Sequence, residues 1–166
     1  MPAKPELRVF LDSTIIVAAL YSAEGPAGTI LEHFVDGKLM VIISQQVLEE
    51  VIQTINENLP EALPIFRRLL VSFPPEVVKN PSPADIANWA QIIHPEAAAI
   101  LAAAVAAQPD YFISEDKGFF ENPEIAQKSG IHILTPAHFL VLSSEIANVN
   151  YRSQKPNFTP SSLSGG

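Results

Sequence analysis

Apolar residues follow two rhythms along this chain. Arg8 to Leu11, Leu39 to Ile43, Tyr111 to Ser114 and Ile131 to Leu134 are short, nearly continuous apolar runs. Such runs are expected of strands covered on both faces. Between them the pattern turns helical: Ile15 to Leu20, then Ala27 to Asp36 with Ile30, Leu31 and Phe34 on one face. Glu24-Gly25-Pro26 and Asp36-Gly37-Lys38 mark turns, and Ser44 is a good N-cap for the helix that follows. Pro60, Pro64 and Pro74-Pro75 interrupt a helical middle that includes Phe66 to Phe73. Asn80 to Pro83 reads as a loop and Ala84 to Ile93 as a short helix. Pro95 to Ala107 predicts another helix, with proline in the first turn where it is favoured. Pro123 to Lys128 predicts a short helix, and Thr135-Pro136 caps a final one reaching Leu142 or beyond. Strands alternating with helices predict an α/β domain, a parallel sheet with helices on both faces. The domain is expected over residues 1–147; the Pro-, Ser- and Gly-rich stretch 148–166 predicts a flexible tail.

Composition narrows the chemistry. At 166 residues and 48% hydrophobic, the chain suits a globular domain. It has no cysteine, which excludes disulfides, Cys-ligated zinc and thiol catalysis. The longest apolar runs, such as Ala97 to Ala107, are too short and Ala-rich to span a bilayer. Met1 to Leu7 is polar and has no signal-peptide layout, so a cytoplasmic protein without membrane contact is expected. The net charge of −8 has the wrong sign for a typical nucleic-acid binder. Any work on nucleic acid must then depend on a local basic surface, metal ions or a partner.

In open α/β sheets, sites form outside the carboxyl ends of the strands. Two strands end there in an acid, at Asp12 and at Glu115-Asp116. Asp110 starts its strand and so lies roughly 13 Å or more from the Asp116 end, on another rim. Carboxylates without Cys or well-spaced His suit a hard cation such as Mg²⁺ or Mn²⁺. Taken singly, each acid is equally an ordinary loop or cap residue. His94, at a helix start beside proline, is a candidate ligand or base but reads as a surface residue. Arg8, Arg67-Arg68 and Lys117 are the nearest thing to a basic surface, with Arg67-Arg68 on a solvated helix face. Trp89 could stack on a base, yet its surroundings read as core.

The run from Val9 to Leu20, with Asp12-Ser13-Thr14 at its centre, resembles the opening motif of PIN-domain nucleases. The resemblance continues through Gly25-Pro26-Ala27, Ile30-Leu31, Gly37-Lys38, Ser44 and Val47 to Val51. It ends with Ile100 to Ala107, Tyr111 to Lys117, and Ile133 to Pro136 with Phe139-Leu140. The most similar branch is that of toxin components of toxin–antitoxin systems. The resemblance implies a PIN-like three-layer α/β/α fold and an Mg²⁺- or Mn²⁺-dependent ribonuclease site of three or four acids. Asp12 matches the first acid and Asp116 the last, with Ser114 where the family has a threonine hydroxyl that would orient Asp116 or a ligand water. The second acid falls in Glu49-Glu50. Periodicity leaves both open, since they flank the Val47, Leu48, Val51, Ile52, Ile55 stripe on opposite sides; the resemblance favours Glu50. The third acid is expected at Ala97. Its acidic neighbour Glu96 lies about 100° around the helix; in the first turn, backbone irregularity and its longer side chain make it the remaining candidate metal ligand, while it also suits a helix N-terminus by charge alone. Thr14 replaces the family's asparagine, and Gly118 a further acid. The implied partners are single-stranded RNA as substrate, an antitoxin protein and a second copy of the chain. The alternative is a degenerate PIN domain that binds protein or RNA without cutting it. A phosphatase is a weaker third reading, because no Gly-rich phosphate loop is present and Thr14 stands where a second acid is needed.

Overall fold

The computed structural model describes residues 7–154. Five parallel strands form one sheet in the order β3-β2-β1-β4-β5. They are β1 (Leu7–Leu11), β2 (Leu39–Ser44), β3 (Glu76–Val78), β4 (Tyr111–Ile113) and β5 (Ile133–Leu134). The helices are α1 (Ser13–Tyr21), α2 (Pro26–Val35), α3 (Gln45–Asn58), α4 (Leu63–Ser72) and α5 (Pro83–Trp89), then α6 (Pro95–Ala107), α7 (Gly118–Glu121), α8 (Pro123–Ser129) and α9 (Pro136–Gln154). They flank the sheet in a three-layer α/β/α arrangement.

The continuous apolar runs became strands because the sheet is covered on both sides. Val9, Phe10 and Leu11 of β1 and Ile42 and Ile43 of β2 are buried, as are Phe112 and Ile113 of β4. Phe112 meets Phe10 and Phe119 edge-on, at ring separations of 5.4 Å and 5.0 Å. From Ala97 to Ala104 every residue of α6 is buried. Its small side chains let the helix lie close to the sheet.

Two elements had no counterpart in the apolar pattern. β3 is three residues at the sheet edge, with Glu76 and Val77 exposed. It is held by its backbone ladder to β2, not by burial, so its sequence carries no strand rhythm. α7 is a single turn after Asp116. Pro64 does not break the chain: it occupies the first turn of α4, where its missing N–H costs nothing. α9 runs through Gln154, so 148–154 is helical; the rest of the expected tail, 155–166, lies outside the described residues, as does the N-terminal 1–6. Among the described residues no single helix is long and apolar enough to cross a membrane.

The strand order fixes where a site can form. The chain leaves β1 toward β2 and β3, then returns to the other side of β1 as β4. The carboxyl ends of β1 and β4 therefore border the crevice at which the winding reverses, the preferred ligand position in such sheets. Leu11 pairs with Ile113, and the ladder continues one step further with the Asp12 N–H donating to the Ile113 carbonyl at 3.1 Å.

Candidate active site at the strand ends

Asp12 ends β1 and N-caps α1, accepting the Ser13 N–H on Oδ1 at 2.7 Å. Its Oδ2 accepts the Ser114 hydroxyl at 2.7 Å and lies 3.3 Å from Thr14 Oγ1. The side chain is 3% exposed. Burial raises its pKa above the ordinary carboxylate value, the hydrogen bonds from Ser114 and Ser13 oppose that, and the negative charges of Glu50 and Asp116 raise it further. Glu50 and Asp116 are thus the acidic neighbours whose charge reaches Asp12.

Glu50 enters from the second turn of α3, whose start is fixed by the Ser44 hydroxyl accepting the Val47 N–H at 3.2 Å. Its Oε2 accepts the Ser13 hydroxyl at 2.8 Å and its Oε1 the Gln46 amide at 3.0 Å, one turn earlier on the same helix. Glu49 is exposed on the other side of the stripe. Of the two glutamates that periodicity left open, Glu50 is the one in contact with α1, through Ser13.

Asp116 follows β4. Its Oδ1 accepts the Gly118 N–H at 2.9 Å, and Oδ2 lies 3.4 Å from His94 Nε2. A Cβ on Gly118 would come within 3.2 Å of that Oδ1, so the glycine gives the carboxylate room. Ser114 is fully buried; its hydroxyl hydrogen goes to Asp12, while its oxygen accepts the Asp116 backbone N–H at 3.0 Å. Expected to orient the Asp116 carboxylate or a water, it instead orients the Asp12 carboxylate and holds Asp116 by its main chain.

Glu96 stands at the start of α6, beside the α3 residues that surround Glu50. It is exposed in the first turn of α6 and only its main-chain carbonyl is engaged, accepting from the Gln46 amide at 3.2 Å. Ala97, the position of the expected third acid, is buried. Glu96 lines an open groove of about 590 Å³, together with Ser13, Gln46, Glu49, Glu50 and Glu57. Of the residues outside the carboxylate trio, Trp89 packs partly buried against the core and Arg67 and Arg68 are exposed on α4. Asp110 caps the opposite rim, accepting the Arg8 N–H at 2.8 Å. Sequence reasoning passed over Ser13 and Gln46, which tie Glu50 in place. Their signal was adjacency: one directly follows the first acid, the other sits one helical turn before the second.

Among the described residues no three acidic or imidazole side chains form a ready-made metal cluster. The donor set nevertheless suits a hard divalent cation. It is all carboxylate oxygen.

No family model and no curated protein matches the chain. Solved structures do. VapBC2 from Rickettsia felis, bound to a DNA fragment from their promoter, aligns over 78% of this chain and 98% of that one, with TM-score 0.58 and 14% identity. FitAcB from Neisseria gonorrhoeae aligns over 78% and 99%, with TM-score 0.56 and 17% identity. At these identities the likeness is one of fold.

Proposed function

We propose that the chain is a PIN-type, Mg²⁺- or Mn²⁺-dependent endoribonuclease acting on single-stranded RNA, and the toxin partner of an antitoxin protein. The observation that carries this reading is the set of hydrogen bonds at the β1/β4 crevice that links buried Asp12 to Glu50 through the Ser13 hydroxyl and to the Asp116 main chain through Ser114. The fold that it shares with VapBC2 and FitAcB supports the wider role.

Asp12, Glu50 and Asp116 would hold the cation. When bound, it would lower the pKa of a coordinated water and offset charge on the phosphodiester. The chain's own part is orientation. Ser114 and the Ser13 N–H fix the Asp12 carboxylate from both oxygens, Ser13 and Gln46 fix Glu50, and Gly118 fixes Asp116. The groove beyond Glu50 is acidic, through Glu49, Glu57 and Glu96. Phosphate would enter it only with cations present, so cleavage should be strictly dependent on divalent metal.

Incubating single-stranded RNA with the protein and Mn²⁺, beside a folded Asp12→Asn control, tests catalysis. Loss of cleavage by about 10²-fold or more in the variant is expected for removal of a charged group that acts in the transition state. Equal activity in both sinks the nuclease reading. The second reading is a PIN-type domain that binds protein or RNA without cutting. Buried Ala97 and solvent-facing Glu96 favour it, since they leave the site one acid short. Metal titration by calorimetry separates the two: millimolar or absent Mn²⁺ affinity belongs to the binding module.

A further inference from the structure

His94 lies between the α6 N-terminus and Asp116. We infer that His94 is a positioning residue, holding Asp116 for metal binding through an Nε2–H donated to Oδ2, with its tautomer set by the backbone of α6. The inference rests on the metal-site reading above.

The tautomer follows from the partners. Nδ1 stands 3.4 Å from the Ala97 nitrogen, whose N–H only donates. Nδ1 therefore accepts there, which leaves Nε2 as the ring nitrogen that carries a hydrogen toward Asp116. That nitrogen is 3.4 Å from Asp116 Oδ2. With Gly118 donating to Oδ1 at 2.9 Å, each carboxylate oxygen has a partner. Each oxygen keeps a lone pair for another partner. The same arrangement argues against His94 as a ligand. An Nε2 bound to a cation would shift the ring hydrogen to Nδ1, setting it against the Ala97 N–H. Ala97 therefore contributes to the site after all, through its main chain. The His94 side chain is 53% exposed and that of Asp116 32%, so water competes for both and the contact acts by orientation more than by strength.

Two substitutions divide the roles of the ring. His94→Asn keeps a capping oxygen near the Nδ1 position but falls short of Asp116. His94→Gln extends an amide N–H to about the Nε2 position. The experiment pairs ¹⁵N NMR of the imidazole in metal-free protein with Mn²⁺ affinity, read from the electron paramagnetic resonance signal of free Mn²⁺. The expected result is an Nε2–H tautomer, Mn²⁺ binding about tenfold weaker in His94→Asn, and largely restored binding in His94→Gln, as for loss and repair of an outer-shell hydrogen bond. An Nδ1–H tautomer, wild-type affinity in His94→Asn, or equal weakening in both variants overturns the inference. So does nitrogen coupling from His94 to bound Mn²⁺. A wild-type protein that binds no Mn²⁺ overturns the metal reading of the site, and the tautomer then decides the His94 contact by itself.

Discussion

At the scale of single residues, Asp12 decides most. A buried carboxyl with a raised pKa binds its proton more tightly folded than unfolded, so its contribution to stability is fully present below the ordinary carboxylate pKa and is lost as pH rises through the folded value. Metal-free protein should therefore lose stability as pH climbs out of that range toward neutrality, and Asp12→Asn should remove this component of the slope. Urea midpoints across pH, in chelator, would show it; identical slopes in the two proteins would contradict the burial argument. At neutral pH without metal the variant should be the more stable by about 0.5–2 kcal/mol, as is common when a functional group is removed. Scanning calorimetry checks this as a melting point raised by about 2–4 °C per kcal/mol for a chain of this size.

Elements place these residues, and the strength of each placement differs. Ser44→Ala removes the cap that starts α3 and should cost about 1 kcal/mol, with Glu50 loosened as a consequence; chemical denaturation reads the first and Mn²⁺ affinity the second. Gly28 is buried in α2, and a Cβ there would overlap the Ala23 carbonyl oxygen. Gly28→Ala should cost about 1–3 kcal/mol by overpacking against backbone that cannot yield, again measurable by denaturation. Elements with many buried side chains were readable in advance: α6 runs from Pro95 to Ala107 as its proline and apolar run indicated. β3 and α7 were not, because a backbone ladder and a single turn leave little mark on side-chain pattern. The site divides the same way. Asp12 and Asp116 were marked by their places at strand ends. The facing of Glu50, and the His94 contact to Asp116, depend on pairs that only the tertiary fold brings together, such as Ser13 with Glu50 across 37 positions.

For the whole molecule the main tension is charge. A net charge of −8, with acids concentrated beside the crevice, opposes anionic RNA and attracts divalent cations and basic partners. Metal should accordingly reverse the stability order of the two proteins: at about 100 times its dissociation constant, Mn²⁺ adds about 2.7 kcal/mol to the wild type and little to Asp12→Asn. Thermal melts with and without Mn²⁺ test that crossing. The central claim, that Asp12, Glu50 and Asp116 form one divalent-cation site, is tested most directly by calorimetric titration of Mn²⁺ into wild type, Asp12→Asn, Glu50→Gln, Asp116→Asn and the neighbouring Glu49→Gln. The account expects one site in the wild type, weakened or lost in the first three variants and unchanged in Glu49→Gln. No binding by the wild type, or Glu49→Gln weakened as much as Glu50→Gln, would contradict it.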